Sequence, residues 1–281
     1  MPDDSKLEHI SDTAFWVATF RASESDRPNA LFHDKFAGML AGERGRHIAA
    51  EMPYGELIAW AMVVRTVTID ELIQRAISLG IDTVVNLGAG LDTRPYRMGV
   101  PATLHWIEVD FPQIISYKTD KLARHSPACK VKRIAADLSD LPVRREILHR
   151  IGTQSKKVLV VTEGVITYFT PGDAELLSHD LFAVSSFDYW IQDYYQGGAK
   201  VWAPSGLQRR LGDSSFNFEE KDWLSFFPRH GWEILENRLT LTEAHRIQRP
   251  FPFPSSVSAM PKEDQEKWKS ASGCVLYRKP L

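Results

Sequence analysis

The chain reads as an α/β protein, a doubly wound and mostly parallel sheet preceded by a cap of helices. Three features of the sequence predict this. Residues 83–92 run Thr-Val-Val-Asn-Leu-Gly-Ala-Gly-Leu-Asp, an apolar strand that breaks into a Gly-x-Gly turn. Beyond Gly80, short apolar runs alternate with segments of helical period, as strands alternate with crossover helices. A carboxylate stands twenty residues after each turn glycine, Glu108 after Gly88 and Asp110 after Gly90.

The first 80 residues predict the cap, with helices over Ser11–Ala22, His33–Ala41 and Gly55–Leu79. In the third, apolar residues at 57, 58, 61, 64, 69, 72, 73, 76 and 77 keep helical spacing, and Gly80 ends the run. Residues 81–281 then form the sheet domain. Its strands are predicted at Thr83–Leu87, Leu104–Val109, Lys130–Ala135, Val158–Thr162 and Phe187–Gln192. Helices are predicted at Pro112–His125, Val143–Ile151 and Asp173–Ser186. Two further strand candidates, Trp232–Asn237 and Gly273–Arg278, have no crossover-type helix between them and predict an antiparallel closing pair. The run Arg249–Pro254 carries three prolines and fits neither a regular helix nor a central strand. Insertions near 196–213 and 239–262 are expected to shape a substrate pocket at the sheet's carboxyl edge.

Composition narrows the function classes. Thirty-four basic and 36 acidic side chains give a net charge of −2. A nucleic-acid surface normally leaves a basic excess, so no nucleic-acid partner is expected. The longest apolar run, Leu57–Val64, holds eight residues, too few for a membrane span. The N-terminus has no signal-type apolar region, and the expected location is cytoplasmic. The two cysteines, Cys129 and Cys274, have no metal-ligand spacing, and no His-x-x-x-His pair accompanies a carboxylate, so no metal is expected.

The glycine turn points to a nucleotide-type cofactor. Glycine lets the backbone approach a ligand and adopt conformations closed to other residues. An ionised acid ending the next strand can accept hydrogen bonds from both ribose hydroxyls, each worth roughly 1.5–3 kcal/mol. A dinucleotide fingerprint needs a third glycine where this chain has Thr93, and Asp92 would repel a pyrophosphate. A ligand with a ribose but no phosphate suits these residues better, and S-adenosyl-L-methionine is the candidate. Arg65, a forked cation with apolar neighbours, suits a methionyl carboxylate. Glu163 ends a buried strand at the sheet's ligand edge. Asp110 and Asp137 are alternatively placed to cap the helices that follow them. Asp92 and Arg94 are expected to pair with each other or with the cap helices.

The block Asn86-Leu87-Gly88-Ala89-Gly90-Leu91-Asp92-Thr93-Arg94 resembles the leucine carboxyl methyltransferase family. The likeness continues in family order through Asp12-Thr13-Ala14 with Trp16-Val17-Ala18, Arg65-Thr66 with Ile69-Asp70, Glu108-Val109-Asp110, Ala136-Asp137-Leu138, and Thr162-Glu163-Gly164 with Tyr168 and Pro171. The resemblance implies a class I methyltransferase of Rossmann-like fold with a seven-stranded sheet. It implies a cofactor site in which Arg65 grips the methionyl carboxylate and Gly88, Ala89 and Gly90 approach the cofactor. It further implies that Asp110 holds the ribose, Asp137 and Leu138 border the adenine, and Glu163 faces the methionyl end. Glu108 competes with Asp110 for the same hydroxyls. Where the phosphatase-modifying branch has a lysine in the opening helix, this chain shows Phe15 and Trp16, which puts that branch's substrate in doubt.

The activity expected is O-methyl transfer to a carboxylate or hydroxyl of a small molecule or peptide terminus. Tyr168, Tyr194, Tyr195 and Arg209 are candidates for the pocket wall. Residues 162–165, Thr-Glu-Gly-Val, lack the Asn/Asp-Pro-Pro-Tyr/Phe arrangement of enzymes that methylate a flipped nucleobase. A nicotinamide-dependent oxidoreductase on the same sheet and a non-catalytic cofactor-binding module are the rival expectations.

Overall fold

A computed structural model describes residues 12–52, 54–197, 216–253 and 261–280. Helices α1 (Asp12–Ser25), α2 (Ala37–Ala50) and α3 (Gly55–Ser78) come first. The alternating part follows: β1 (Thr83–Leu87), a one-turn helix α4 (Arg94–Arg97), β2 (His105–Asp110), α5 (Pro112–Leu122), β3 (Lys130–Ala135), α6 (Leu141–Gln154), β4 (Val158–Thr162), α7 (Pro171–Ala183) and β5 (Phe187–Tyr195). The chain closes with α8 (Trp223–Arg229), β6 (Glu233–Leu239), α9 (Thr240–Arg246), α10 (Lys262–Lys269) and β7 (Ser272–Arg278).

The seven strands form one sheet in the order β3-β2-β1-β4-β5-β7-β6. Strands β1 to β5 pair in parallel, and β7 runs antiparallel between β5 and β6. The expected closing pair is therefore present. All five residues of β1 and of β4 are buried, as strands covered on both faces require. Two apolar clusters flank the sheet. One gathers Trp190, Phe218, Trp223, Phe227, Trp232 and Tyr277 on the side of α6, α7 and α8. Their indole N–H groups are satisfied: Trp190 donates to Thr162, Trp223 to Gln192 and Trp232 to Ser178. The other cluster packs Ile69, Leu72, Ile73 and Ala76 of α3 against Val84, Leu159 and Leu276. Helix α3 thus serves both parts of the chain: its first half packs through Ile58 and Met62 on Trp16 and Phe20 of α1.

Several boundaries differ from those read in the sequence. Helix α2 begins at Ala37, not His33, because the Asp34 carboxylate accepts the Phe36 and Ala37 N–H groups; the helix bends at Gly42 and continues to Ala50. Strand β5 runs three residues further, to Tyr195, since Asp193, Tyr194 and Tyr195 pair with Cys274, Gly273 and Ser272 of β7. The insertion expected over 239–262 contains helix α9 and ends at the start of α10, while the one over 196–213 lies almost wholly outside the described residues. No helix among the described residues is long and apolar enough to cross a membrane.

Candidate functional site

Between β1 and β4 the strand order reverses, and an open α/β sheet leaves its ligand crevice at such a point, outside the carboxyl ends of the strands. A cavity of about 590 Å³ opens there. That is within the roughly 300–1,000 Å³ of small-molecule sites. Strand β1 delivers Gly88, Ala89 and Gly90 to its wall, β2 delivers Asp110, the segment after β3 delivers Asp137 and Leu138, β4 delivers Glu163, and α3 delivers Arg65.

The turn after β1 needs its glycines. Gly88 and Gly90 have φ of 68° and 46°, a region that side-chain-bearing residues rarely adopt. A Cβ on Gly88 would also lie 2.5 Å from Val165 Cγ2. The turn is then clamped by the acid that ends β2. Gly90 N–H donates to Asp110 Oδ2 at 2.6 Å, and Phe111 N–H donates to Oδ1 at 2.7 Å. Each oxygen keeps capacity for a further donor. Burial raises the Asp110 pKa against the pull of those two N–H groups. Phe111, not Asp110, occupies the cap position of α5. Asp137 is exposed and accepts from the Ser139 N–H and hydroxyl, while Asp140 caps α6 through the Val143 N–H.

A buried ionic chain crosses the other part of the cavity. Arg65 Nε donates to Glu163 Oε1 at 2.9 Å and its Nη1 to Asp193 Oδ2 at 3.0 Å. Glu163 Oε2 accepts from Arg94 Nη1 at 2.7 Å, and Arg94 also holds Asp92 and Asp70. Burial works against every charge in this chain, yet the partners prevail at Arg65 and Arg94, whose pKa values rise. Burial likewise opposes ionisation of Asp92 and Glu163, but Arg94 foremost holds both below the usual carboxylate range. At Asp193 burial wins over Arg65 and the pKa is raised. The expected Asp92–Arg94 pairing is present, and both side chains line the cavity as well.

Two expected site residues are misplaced. Glu108 does not line the cavity. It lies two residues deeper in β2 than Asp110, fully buried, with Lys118 on one oxygen at 2.7 Å and Arg133 on the other at 2.8 Å. Its acceptor capacity is directed into an internal ion-pair cluster. Tyr194 is also buried away from the cavity, because successive residues of a strand face opposite sides. The same alternation brings Asp193 and Tyr195 to the wall, together with Tyr168. Asp193 was legible in principle as a carboxylate ending a buried strand, one step from the tyrosines singled out. Arg209 lies outside the described residues. Burial pushes the Tyr168 phenol up to about 12 and raises that of Tyr195, so both keep their protons at neutral pH.

The remaining wall is apolar and comes from α1, α3 and the C-terminal segments: Trp16, Leu57, Trp60, Phe216, Leu241 and Trp268. Phe251 braces it, packing edge-on against Trp60 at 5.2 Å and Trp268 at 4.5 Å. Away from the cavity, Glu175 and His179 of α7 and His230 after α8 bring three ligand-type atoms within 4.8 Å of one another. A grouping from two separate elements is invisible to a search for spaced histidine pairs, and it marks the place where a divalent cation could be held.

Comparison with known proteins fits this arrangement. A family model described as leucine carboxyl methyltransferase matches residues 14–181. The chain belongs to that family. The matched span runs from α1 into α7 and so contains Arg65, the glycine turn, Asp110, Asp137 and Glu163. A Frankia alni protein named as an S-adenosyl-L-methionine-dependent methyltransferase is 30% identical over 263 residues, covering 86% of this chain and 90% of its own. A Mycolicibacterium paratuberculosis protein of the same description is 29% identical over 284 residues, with 90% and 88% covered. Among solved structures, a Thermobifida fusca protein described as a methyltransferase superposes with a TM-score of 0.59 at 13% identity, covering 100% of this chain and 97% of its own. A DUF574 family protein of Streptomyces avermitilis gives 0.54 at 15% identity, with 94% and 97% covered. These likenesses show the fold: an α/β sheet of the class I methyltransferase type.

Proposed function

We propose that this family member is an S-adenosyl-L-methionine-dependent methyltransferase that methylates an oxygen atom of a small molecule. The cofactor is S-adenosyl-L-methionine. The observation that carries the reading is the clamp of Asp110 on the Gly88–Gly90 turn in the cavity wall. A turn that exposes backbone, beside a carboxylate with spare acceptor capacity, is chemistry for a ribose and not for a phosphate. The opposite part of the site fits the amino-acid tail. Arg65 is a cation for its carboxylate, and Glu163 an acceptor for its ammonium. Six carboxylates and four arginines line the cavity among the described residues, a balance that favours a cationic ligand.

When bound, the cofactor supplies a methyl group activated by a sulfonium, a reactivity that is its own. The residues align the partners. Asp110 and the turn hold the ribose, Asp137 and Leu138 border the adenine, and Arg65 with Glu163 fixes the methionyl tail. Alignment of this kind contributes up to about 7–11 kcal/mol when the reacting atoms are well placed. Tyr168 and Tyr195 orient the acceptor as donors. The buried, unpaired Cys129 and Cys274 suit a reducing compartment, and we place the protein in the cytoplasm.

Calorimetric titration with S-adenosylmethionine and S-adenosylhomocysteine tests the cofactor assignment, with NAD(H) as the contrasting ligand. Saturable one-to-one binding of the first two, and none of the third, is expected. Binding of NAD(H) alone would overturn it.

A further inference from the structure

Outside the cavity, α7 meets the turn that leads from α8 into β6. Glu175 and His179 stand four residues apart on α7 and share one face of it. His230 follows α8 and brings its ring to 5.3 Å from that of His179. Glu175 Oε1 lies 3.6 Å from His179 Nε2 and 3.7 Å from His230 Nδ1. Both gaps are wider than an N–H···O hydrogen bond, which spans roughly 2.7–3.2 Å. They are close to the roughly 3.3–3.6 Å that separates two ligands of one zinc ion at bond lengths of about 2.0–2.1 Å. The three ligand-type atoms all lie within 4.8 Å of one another. Glu175 and His179 are exposed, so small rotations of their side chains close the remaining distance.

Buried packing fixes the two elements to each other beside this cluster. The Trp232 indole donates to Ser178 Oγ, next to His179, at 3.1 Å, and both residues are buried. Phe182, three residues further along α7, packs edge-on against Trp232 at 5.7 Å. Gly231 turns the chain between His230 and Trp232 at φ of 95°, and a Cβ there would stand 3.0 Å from the Phe182 ring. The His230 ring packs on Phe226 at 4.9 Å, with 17% of its side chain exposed. The ligand atoms of two separate elements are thus held near one another before any ion arrives. We propose that Glu175, His179 and His230 bind a divalent cation of the zinc class, and that the bound ion clips α7 to the turn between α8 and β6. Two imidazoles and a carboxylate are a zinc-type donor set, and water from the open side completes four-fold coordination. None of the three residues lines the cavity, so this site goes beyond the proposed function and does not depend on it.

The test uses the full chain, purified without a polyhistidine tag and freed of metal with a chelator, and titrates it with zinc in a calorimeter. One ion per chain with micromolar affinity is expected, and saturating zinc should raise the melting temperature by several degrees. His179→Ala and Glu175→Gln alter exposed side chains and should each weaken zinc binding at least tenfold. His230→Ala should do the same and abolish the thermal shift. Circular dichroism checks the fold of each variant, and affinity for S-adenosylhomocysteine should stay at the parent value in all three. Failure of the folded parent to bind zinc, or parent-like zinc affinity in a folded histidine variant, would overturn the inference. Should His230→Ala not fold, His179→Ala decides. A parent that binds zinc but not S-adenosylhomocysteine would strike the proposed function and leave the metal site standing.

Discussion

Arg65 and Glu163 are ion-paired in the cavity, Nε to Oε1 at 2.9 Å, with only 12% and 14% of their side chains exposed. A cation and a carboxylate held side by side form the complement of an amino-acid zwitterion. The ligand's carboxylate takes the arginine, its ammonium takes the glutamate, and two buried charges exchange partners without either being stranded. Because S-adenosylmethionine and S-adenosylhomocysteine carry the same tail, Arg65→Ala should weaken both by tenfold or more. Calorimetry on the folded variant checks this, and a defect confined to one of the two ligands would contradict the assignment.

Gly88 is constrained twice, by φ of 68° and by Val165 Cγ2 at 2.5 Å from where a Cβ would stand. Gly88→Ala should therefore lower the melting temperature by several degrees and weaken cofactor binding. Adding Val165→Ala removes the collision but not the backbone penalty of about 1 kcal/mol or more. The double variant should recover part of the stability and not all of it. Full recovery would show that the left-handed backbone contributes nothing.

The parallel core was legible because strands buried on both faces are unbroken apolar runs; Thr83–Leu87 and Val158–Thr162 were read to the residue. The closing elements were harder. Helix α8 spans seven residues with Pro228 inside it, and α9 is equally short, so neither shows a helical period long enough to read. Gly88, Gly90 and Asp110 come together as their spacing implied, since β1 and β2 are adjacent and in register. Glu108 was misjudged because spacing cannot say that Lys118 and Arg133 close over it. Tyr194 was misjudged because the face of β5 is set by where the strand ends, which pairing with β7 decides.

Arg94 joins Asp70, Asp92 and Glu163, and its side chain is 2% exposed. Arg94→Met leaves these carboxylates short of a buried cation and should destabilise the fold by about 3–5 kcal/mol. Arg94→Lys keeps the charge without the planar fork and should recover only part of the loss. Chemical denaturation measures both; a Met variant as stable as the parent would remove Arg94 as the junction of the network.

Asp92 is held well below the ordinary carboxylate pKa, with Arg94 the foremost of the groups that overcome its burial. The unfolded chain therefore takes up a proton near pH ~4 that the folded chain refuses, and this stabilisation is full above that value. It is lost as pH falls from there toward the lower folded value. Glu163 acts in the same direction, while Asp110 and Asp193, whose values are raised, act in the opposite one. The comparison must then be made between variants. Asp92→Asn should show a shallower loss of melting temperature between about pH 4 and 2 than the parent. Parallel curves would contradict the assignment.

The most direct measurement is a calorimetric titration of S-adenosylhomocysteine into the parent and an Asp110→Ala variant, with folding of the variant checked by circular dichroism. If the clamp on the glycine turn is the ribose site, the parent binds one molecule per chain and the variant binds at least tenfold more weakly, from the loss of charged hydrogen bonds of roughly 1.5–3 kcal/mol each. Unchanged affinity in a folded Asp110→Ala protein would contradict it.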